Sequence, residues 1–224
     1  MGKLIMNSVA TNPSGLTPAE QKSRYGNAII SANVNGEVYV KDCIFAKPGY
    51  NCVEIGLDTK VEPPSKVTFE NCEFHNELTN NAILVFATKD NATITLKNCK
   101  FESVSNALRV SNRTNAKNVT VNIIDCSVDK WDNNPKYAGF LILEDYTSKN
   151  MTEFEEANRF GPDKLTINIS NLVHNGKPVK PGSVEQVVNC NNANQVIYLY
   201  RDNLPANYRY PEYDPDIFPV INIK

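Results

Sequence analysis

The sequence predicts an all-β fold, a right-handed parallel β-helix (solenoid) of about five to six coils with extended terminal arms. Three observations lead to this prediction. A motif with the consensus apolar-x-apolar-x-Asn/Asp-Cys-x-Phe recurs along the chain. The alternation of its apolar positions changes phase at the Asn or Asp. A second recurring motif lies in each of the three intervals between the first four copies. A degenerate form of it lies between the fourth and fifth copies.

The cysteine of the first motif gives the period of the repeat. Successive cysteines are 29, 27 and 27 residues apart, at Cys43, Cys72, Cys99 and Cys126. Leu172 takes the same position in a fifth copy, 46 residues further along. A recurring period of this length is typical of solenoids, in which each repeat packs against its neighbours.

The residue before each cysteine is always Asn or Asp. In one unbroken strand, side chains alternate between faces, so the apolar residues before this position and the Cys and Phe after it would face opposite sides. A bend in the left-handed backbone region, which Asn and Asp tolerate better than other non-glycine residues, lets both segments face inward. The sequence therefore predicts a corner with a hydrogen-bonded ladder of stacked side chains: Asp42, Asn71, Asn98, Asp125 and Asn171.

The second motif supplies the third strand of each coil. It places apolar residues after Asn27, Asn51, Asn81 and Asn106, with a degenerate copy at Ala138. The competing fold is an antiparallel two-sheet sandwich, which requires tight hairpin turns such as Asn-Gly. The chain has only two such pairs, at the margins of the repeat region (35–36 and 175–176).

The Val-x-Ile-x-Asn-Cys-x-Phe pattern resembles that of the pectate-lyase-like right-handed β-helix superfamily. This superfamily includes polysaccharide lyases and hydrolases and many bacteriophage tail and capsid-associated proteins. The resemblance covers residues 26–174 and concerns the fold, and a shared fold does not by itself fix an activity.

The chain is divided into three regions by composition and repeats. Residues 1–25 form an N-terminal arm or cap, residues 26–190 the β-helix, and residues 191–224 an extended Pro/Tyr-rich arm. An insertion around 131–163 interrupts the β-helix, and its segment 151–160 predicts a short helix. Because exposed aromatic rings are costly, the C-terminal arm is predicted to dock on its own solenoid or on a neighbouring subunit through Tyr198, Tyr200, Tyr208, Tyr210, Tyr213 and Phe218.

Charge and hydropathy argue against several partners. The formal net charge is −2 and the pI is about 5.8, which disfavours binding to nucleic acid. The first residues lack the apolar core of a signal peptide, and no segment has the length of apolar sequence that spans a membrane. We expect a protein made in the host cytoplasm that binds neither nucleic acid nor membrane and keeps its six cysteines as thiols.

Candidate chemical groups are few. The cysteine spacing has no Cys-x-x-Cys pair, so it favours a core stack over a metal site, and no cofactor is predicted. The outward column Lys41, Glu70 and Lys97 alternates in sign and predicts charge pairing, whereas the third-strand column of Glu54, Leu84, Arg109 and Leu141 is mixed. The only local concentration of carboxylates gives the candidate residues of a glycan site: Asp129, Asp132, Glu144 and Asp145. The alternative interpretation of these residues is a solvated loop. No catalytic residue is assigned.

These features predict a non-enzymatic structural component of a virion, a bacteriophage head or tail protein. Its expected partners are other virion or assembly proteins, with itself as a possible homo-oligomer. The alternative is a polysaccharide-binding or polysaccharide-degrading β-helix of tail-spike type, a glycan hydrolase or lyase if it is an enzyme. A third interpretation, a cytosolic bacterial interaction scaffold, would be distinguished by the neighbouring genes.

Overall fold

The computed structural model of the protein describes residues 4–7, 30–46, 51–58, 60–75, 81–102, 106–129, 139–144, 160–184, 196–199, 216 and 218–224. The all-β prediction is confirmed, because these residues form three mostly parallel sheets and contain no α-helix. The predicted helix at 151–160 falls almost entirely outside the described residues. The degenerate second-motif copy is shifted by one residue from its predicted alignment, with Gly139 and not Ala138 beside Asn106.

We call the sheets A, B and C and number the strands in chain order. Sheet A contains β1 (Leu4–Asn7), β4 (Cys43–Ala46), β7 (Glu73–His75), β10 (Lys100–Glu102), β13 (Ser127–Asp129), β16 (Val173–His174) and β17 (Lys177–Pro178). Sheet B contains β2 (Ile30–Ala32), β5 (Val53–Ile55), β8 (Asn81–Val85), β11 (Asn106–Ser111), β14 (Gly139–Glu144) and β18 (Val196–Leu199). Sheet C contains β3 (Glu37–Lys41), β6 (Lys66–Glu70), β9 (Thr93–Lys97), β12 (Val119–Ile124), β15 (Leu165–Ser170) and β19 (Val220–Ile223).

Each full repeat gives one strand to each sheet. The second motif forms the strand in sheet B, and the two halves of the first motif form those in sheets C and A. Equivalent strands of successive repeats pair in parallel, with Val38 beside Val67 and Val67 beside Ile94. Among the described strands, only β16 and β17 pair antiparallel, so the pairing is not that of an antiparallel sandwich.

Both predicted arms contribute strands to these sheets. The N-terminal strand β1 pairs with β4 at one edge of sheet A. Near the C-terminus, β18 pairs with β14 in sheet B, and β19 pairs with β15 in sheet C. The three sheets therefore include parts of the chain on both sides of the region predicted as the β-helix.

The predicted corner between sheets C and A is confirmed. Its five residues have left-handed backbone angles, with φ of 55° at Asp42, 54° at Asn71, 50° at Asn98, 52° at Asp125 and 53° at Asn171. The bend separates the strand before it from the strand after it, so the alternating apolar residues of both strands face the same core. Val67 and Phe69 before the bend are buried, as are Cys72 and Phe74 after it.

The corner side chains form a ladder of hydrogen bonds in one direction. Asn71 Nδ2 donates to Asp42 Oδ1 at 3.0 Å, and Asn98 Nδ2 donates to Asn71 Oδ1 at 2.8 Å. Asn171 Nδ2 donates to Asp125 Oδ1 at 2.8 Å. The ladder is interrupted between Asn98 and Asp125, because a carboxylate has no hydrogen to donate to the amide oxygen of Asn98.

Asp125→Asn is expected to complete the ladder and stabilise the protein by about 0.5–1 kcal/mol, the net value of an added hydrogen bond. The new amide can donate to Asn98 and still accept from Asn171, and Asn tolerates the left-handed angle as well as Asp does. Urea denaturation followed by circular dichroism measures the change. Asp42→Asn is the matched control, since Asp42 stands at the end of the ladder and already accepts from Asn71. Equal effects of the two substitutions would contradict the explanation.

The core lies between the three sheets and consists of columns of like residues. Phe45, Phe74 and Phe101 stack with ring centroids 4.9 Å apart in each successive pair and interplanar angles of 7°. Cys43, Cys72, Cys99 and Cys126 form a second buried column, as the sequence predicts. Each of these thiols donates to the carbonyl oxygen two residues earlier, for example Cys72 Sγ to Glu70 O at 3.4 Å.

Candidate functional site

Two central strands of sheet B are buried on both faces. Every residue of β5 and β8 is buried, including outward-facing Glu54 and Leu84, which are 6% and 4% exposed. In β14, Ile142 lies beside Arg109 on this outer face, while Leu141 lies beside inward-facing Leu108. The predicted assignment of Leu141 to the outward column was therefore wrong by one residue.

A buried polar group surrounds Glu54. Asn51 Nδ2 donates to Glu54 Oε1 at 2.7 Å, and Asn81 Nδ2 donates to Asn51 Oδ1 at 2.9 Å. Burial raises the pKa of Glu54 above its ordinary value, and the hydrogen bond from Asn51 and the charge of Arg113 partly offset that rise. The group therefore holds a carboxyl in surroundings that disfavour its ionised form.

Glu54→Gln is expected to raise the melting temperature at pH 7, with a smaller gain at lower pH. The raised pKa means that protonated Glu54 favours the folded state below its unfolded pKa of about 4.3. This contribution is lost as pH rises through the folded pKa, so the ionised form is a burden at pH 7. A neutral amide can keep a hydrogen bond with Asn51 without that burden.

Thermal melts of both proteins between pH 3 and pH 7, an interval chosen to span the ordinary Glu pKa of about 4.3, measure this difference. Glu62→Gln is the control, because Glu62 is exposed and its contacts with Asn35 and Lys89 lie at the surface, where an ion pair contributes little. A gain for Glu54→Gln that is the same at every pH would contradict the assignment.

A second buried charge lies further along the same face. Glu144 is 1% exposed and forms an ion pair with Arg109 of the adjacent strand. The guanidinium carbon of Arg113 lies 4.0 Å from the centroid of the Phe86 ring, a cation–π arrangement. Glu54 and Glu144 lie on strands three steps apart, or about 14 Å, too far for the paired carboxylates of a glycosidase. Glu54 and Glu144 therefore belong to two separate buried polar contacts.

The outer face of sheet A is more open and carries a histidine between carboxylates. His75 Nδ1 lies 3.0 Å from Glu102 Oε2, and His75 Nε2 lies 3.4 Å from Glu73 Oε2. Glu102 is also directly beside Asp129 on the next strand. His75, Glu102 and Asp129 therefore form a column of polar side chains at equivalent positions of three adjacent strands.

The outer face of sheet C shows the predicted alternation of charge. Glu70 Oε1 lies 4.0 Å from Lys41 Nζ and 3.4 Å from Lys97 Nζ, and Glu70 Oε2 accepts a 2.7 Å hydrogen bond from the Tyr39 hydroxyl. The hydrogen bond from Tyr39 is the main cause that lowers the pKa of Glu70, and the same bond raises the pKa of Tyr39. Polar side chains here hold neighbouring strands together.

The structure separates the glycan-site candidates. Asp129 is exposed at the end of β13 in sheet A, and Glu144 is buried in sheet B. Asp132 and Asp145 lie outside the described residues. Of the docking candidates, Phe218 is 1% exposed and belongs to this chain's own core, and Tyr198 lies in β18. The other docking candidates, Tyr200, Tyr208, Tyr210 and Tyr213, are outside the described residues.

The described cysteines are all buried. The hydrogen bond with Cys99 lowers the pKa of Cys126, although burial opposes that change. Cys52 is 0% exposed, and burial raises the pKa of its thiol. The pKa of Cys72 is also raised, first by its hydrogen bond with Cys99 and then by burial. Within the described ranges, no group of three or more His, Cys, Asp or Glu residues is arranged to hold a metal ion.

Sequence analysis missed two further rows of asparagine. Asn122, Asn168 and Asn222 form an amide row on sheet C, with donor–acceptor distances of 3.0 Å and 2.9 Å. Asn118 donates to Asn91 at 3.3 Å in the turn before sheet C, where their φ angles are 54° and 61°. The recurrence of Asn at equivalent positions was the available signal for both.

Comparisons with protein-family models, curated proteins and solved structures found no match to this chain. Among the described residues, no helix has the length and apolar character needed to cross a membrane.

Proposed function

We propose that the three sheets are the faces of a right-handed parallel β-helix and that the chain is a non-enzymatic structural component of a virus particle. In this proposal it is a bacteriophage head or tail protein that acts through protein–protein contacts. The observation that carries the proposal is that asparagine and charged side chains bond from strand to strand along the sheets, as at Asn71 and Glu70.

Such bonding favours a rigid body over a mobile binding site. Six parallel strands in sheet C, spaced by about 4.8 Å, give a stack roughly 24 Å long between its first and last strands. Asn71 and Glu70 each contact the repeats on both sides of their own. A body cross-linked in this way can carry load between neighbouring proteins without changing shape.

The test is the protein content of purified particles. Virus particles produced from the native genome should contain this chain in a fixed copy number, measured by quantitative mass spectrometry. Recovery of the chain only from the soluble fraction of the lysate would overturn the virion assignment.

The predicted aromatic docking segment is tested in the same particles. Deleting residues 204–224 is unsuitable because it removes buried Phe218 and Ile221. Simultaneous replacement of Tyr208, Tyr210 and Tyr213 by Ser should instead lower incorporation of the chain. Lys60→Ala, at an exposed position, is the control and should leave incorporation unchanged.

The second candidate function is polysaccharide binding or cleavage in the manner of a tail spike. The column of His75, Glu102 and Asp129 on the outer face of sheet A favours it, because adjacent carboxylates can bond to sugar hydroxyls. Replacement of both Glu102 by Gln and Asp129 by Asn should then abolish binding to or depolymerisation of a capsular glycan. Glu37→Gln on sheet C serves as the control. Activity retained by the double variant would exclude this column as the site.

A further inference from the structure

Strand β3 is the first strand of sheet C. Among the described residues it pairs only with β6. The carbonyl of Gly36 accepts from Ser65 N–H, and Asp42 N–H donates to Glu70 O, so the backbone groups of even-numbered residues point toward β6. Because successive residues of a strand point their backbone groups to opposite sides, those of Glu37, Tyr39 and Lys41 point away from β6.

The core is less completely covered at this end. Phe69 and Leu96, which follow Val40 in its inward column, are 0% exposed, whereas Val40 itself is only partly buried. Ile30 and Ala32 of β2 are also partly buried. Tyr39 is 58% exposed, the largest exposure among the exposed large hydrophobic side chains described. Inside the stack, neighbouring strands cover the apolar side chains at equivalent positions. An added strand beside β3 would cover the partly exposed apolar side chains of β3 in the same way.

The sequence of β3, Glu-Val-Tyr-Val-Lys, is complementary to itself when reversed. We propose that β3 pairs antiparallel with β3 of a second copy, around a twofold axis at Tyr39. Glu37 then lies opposite Lys41 of the second copy, and the reciprocal pair repeats this contact. Val38 lies opposite Val40 of the second copy, and the two Tyr39 residues face each other.

The backbone geometry fits this pairing. In an antiparallel ladder, alternate residue pairs exchange two hydrogen bonds each, and the pairs between them bring their side chains closer. The backbone groups of Glu37, Tyr39 and Lys41 that point away from β6 are those that the exchanging pairs require. Lys41 O already accepts from Cys43 Sγ and has a second lone pair for a partner strand. Val38 and Val40 then occupy the closer pairs on the core face. Opposite charges and aromatic residues directly across from each other also stabilise paired strands.

The contact is confined to sheet C. Strand β1 adds a further strand to sheet A at the same end of the stack, so two copies cannot stack with all three sheets continuous. An isologous contact of this kind closes at two subunits and does not produce an open fibre. The inference deepens the proposed assembly function, on which it rests, by naming a second copy of the chain as one partner.

Sedimentation velocity of the full chain over a range of concentrations tests the pairing. The unmodified protein should sediment as a dimer that dissociates on dilution. Tyr39→Pro should be monomeric, because it removes the N–H at the twofold axis while β3–β6 bonds use the neighbouring residues. Tyr39→Phe is the matched control and should stay dimeric, since it loses only the hydroxyl that contacts Glu70.

Charge reversal gives a test that does not depend on proline. Glu37→Lys and Lys41→Glu should each weaken self-association by about tenfold, because each places like charges opposite each other twice. An equimolar mixture of the two variants should form heterodimers, in which every charged contact again joins a positive side chain to a negative one. The double variant Glu37→Lys with Lys41→Glu should recover homodimers.

A monomeric unmodified protein, or dimers whose stability is unaffected by both single reversals, would overturn the inference. Neither result bears on the virion assignment, which is tested by the content of purified particles. Conversely, absence from particles together with a dimer that follows the charge rules would retain the β3 contact and remove its proposed role in virus assembly.

Discussion

Phe74→Ala is expected to lower the free energy of unfolding by about 3–5 kcal/mol, the largest effect of any single substitution considered. Phe74 is 0% exposed and stacks between Phe45 and Phe101, with 4.9 Å between ring centroids on each side. It also packs edge-on against Phe69 at 5.9 Å. Removing the ring leaves a cavity with packed strands on both sides. Urea denaturation monitored by circular dichroism measures the loss.

Phe74→Leu is the matched control for this prediction. Leucine retains much of the buried volume, so we expect a loss of roughly 1–1.5 kcal/mol, near the upper end for shape changes in a core. The difference between the two variants reports the cavity. Similar losses for Ala and Leu would contradict the cavity explanation, because the volume that leucine retains would then have restored no stability.

Asn71→Ala is expected to destabilise the protein by about 2–5 kcal/mol, through two separate causes. Alanine at the φ of 54° found at this position is strained by about 1–2 kcal/mol. The substitution also removes the hydrogen bond that Asn71 donates to Asp42 and the one that it accepts from Asn98, each worth about 0.5–1.5 kcal/mol. The same denaturation experiment measures the sum.

Asn71→Gly separates the two causes. Glycine adopts positive φ without strain, so this variant should recover the strain part of the loss while still lacking both ladder bonds. We expect its stability to lie between those of the unmodified protein and Asn71→Ala. If Asn71→Gly were as unstable as Asn71→Ala, backbone strain would not explain the choice of Asn and Asp at this corner.

The corner was predictable because it combines two independent signals. Asn or Asp precedes each Cys or Leu, and the apolar alternation changes phase there. Only a bend brings Phe69 and Phe74 to one core, and only a few residue types tolerate the required backbone angle. The same reasoning predicted the charge pairing of Lys41, Glu70 and Lys97, since residues at equivalent positions lie side by side.

The degenerate copy of the second motif, which forms β14, was not aligned correctly from sequence. Gly139, not Ala138, lies beside Asn106, because the asparagine that marks this position in earlier copies is absent. A shift of one residue exchanges the two faces of a strand. The predicted alignment therefore placed Leu141 on the outer face of sheet B, where Ile142 lies. Register in this strand is set by packing against β11.

The outer face of sheet B could not be predicted for a different reason. Residue type places Glu54 and Glu144 at the surface, since carboxylates are rarely buried unless paired. Their burial depends on partners distant in sequence. Arg109 is 35 positions from Glu144, and Asn51 bonds to Asn81, which is 30 positions further along the chain. No local pattern shows that such groups will meet.

The sequence by itself determined the all-β class, the repeat, the left-handed corner and the inward columns of Cys and Phe, because these follow from side-chain alternation and local backbone preference. Tertiary structure alone decided which carboxylates are buried, which strand edge has no partner among the described residues and where each arm joins a sheet. These depend on contacts between residues far apart in the chain, whose strength is set by burial and by the partner that each group meets.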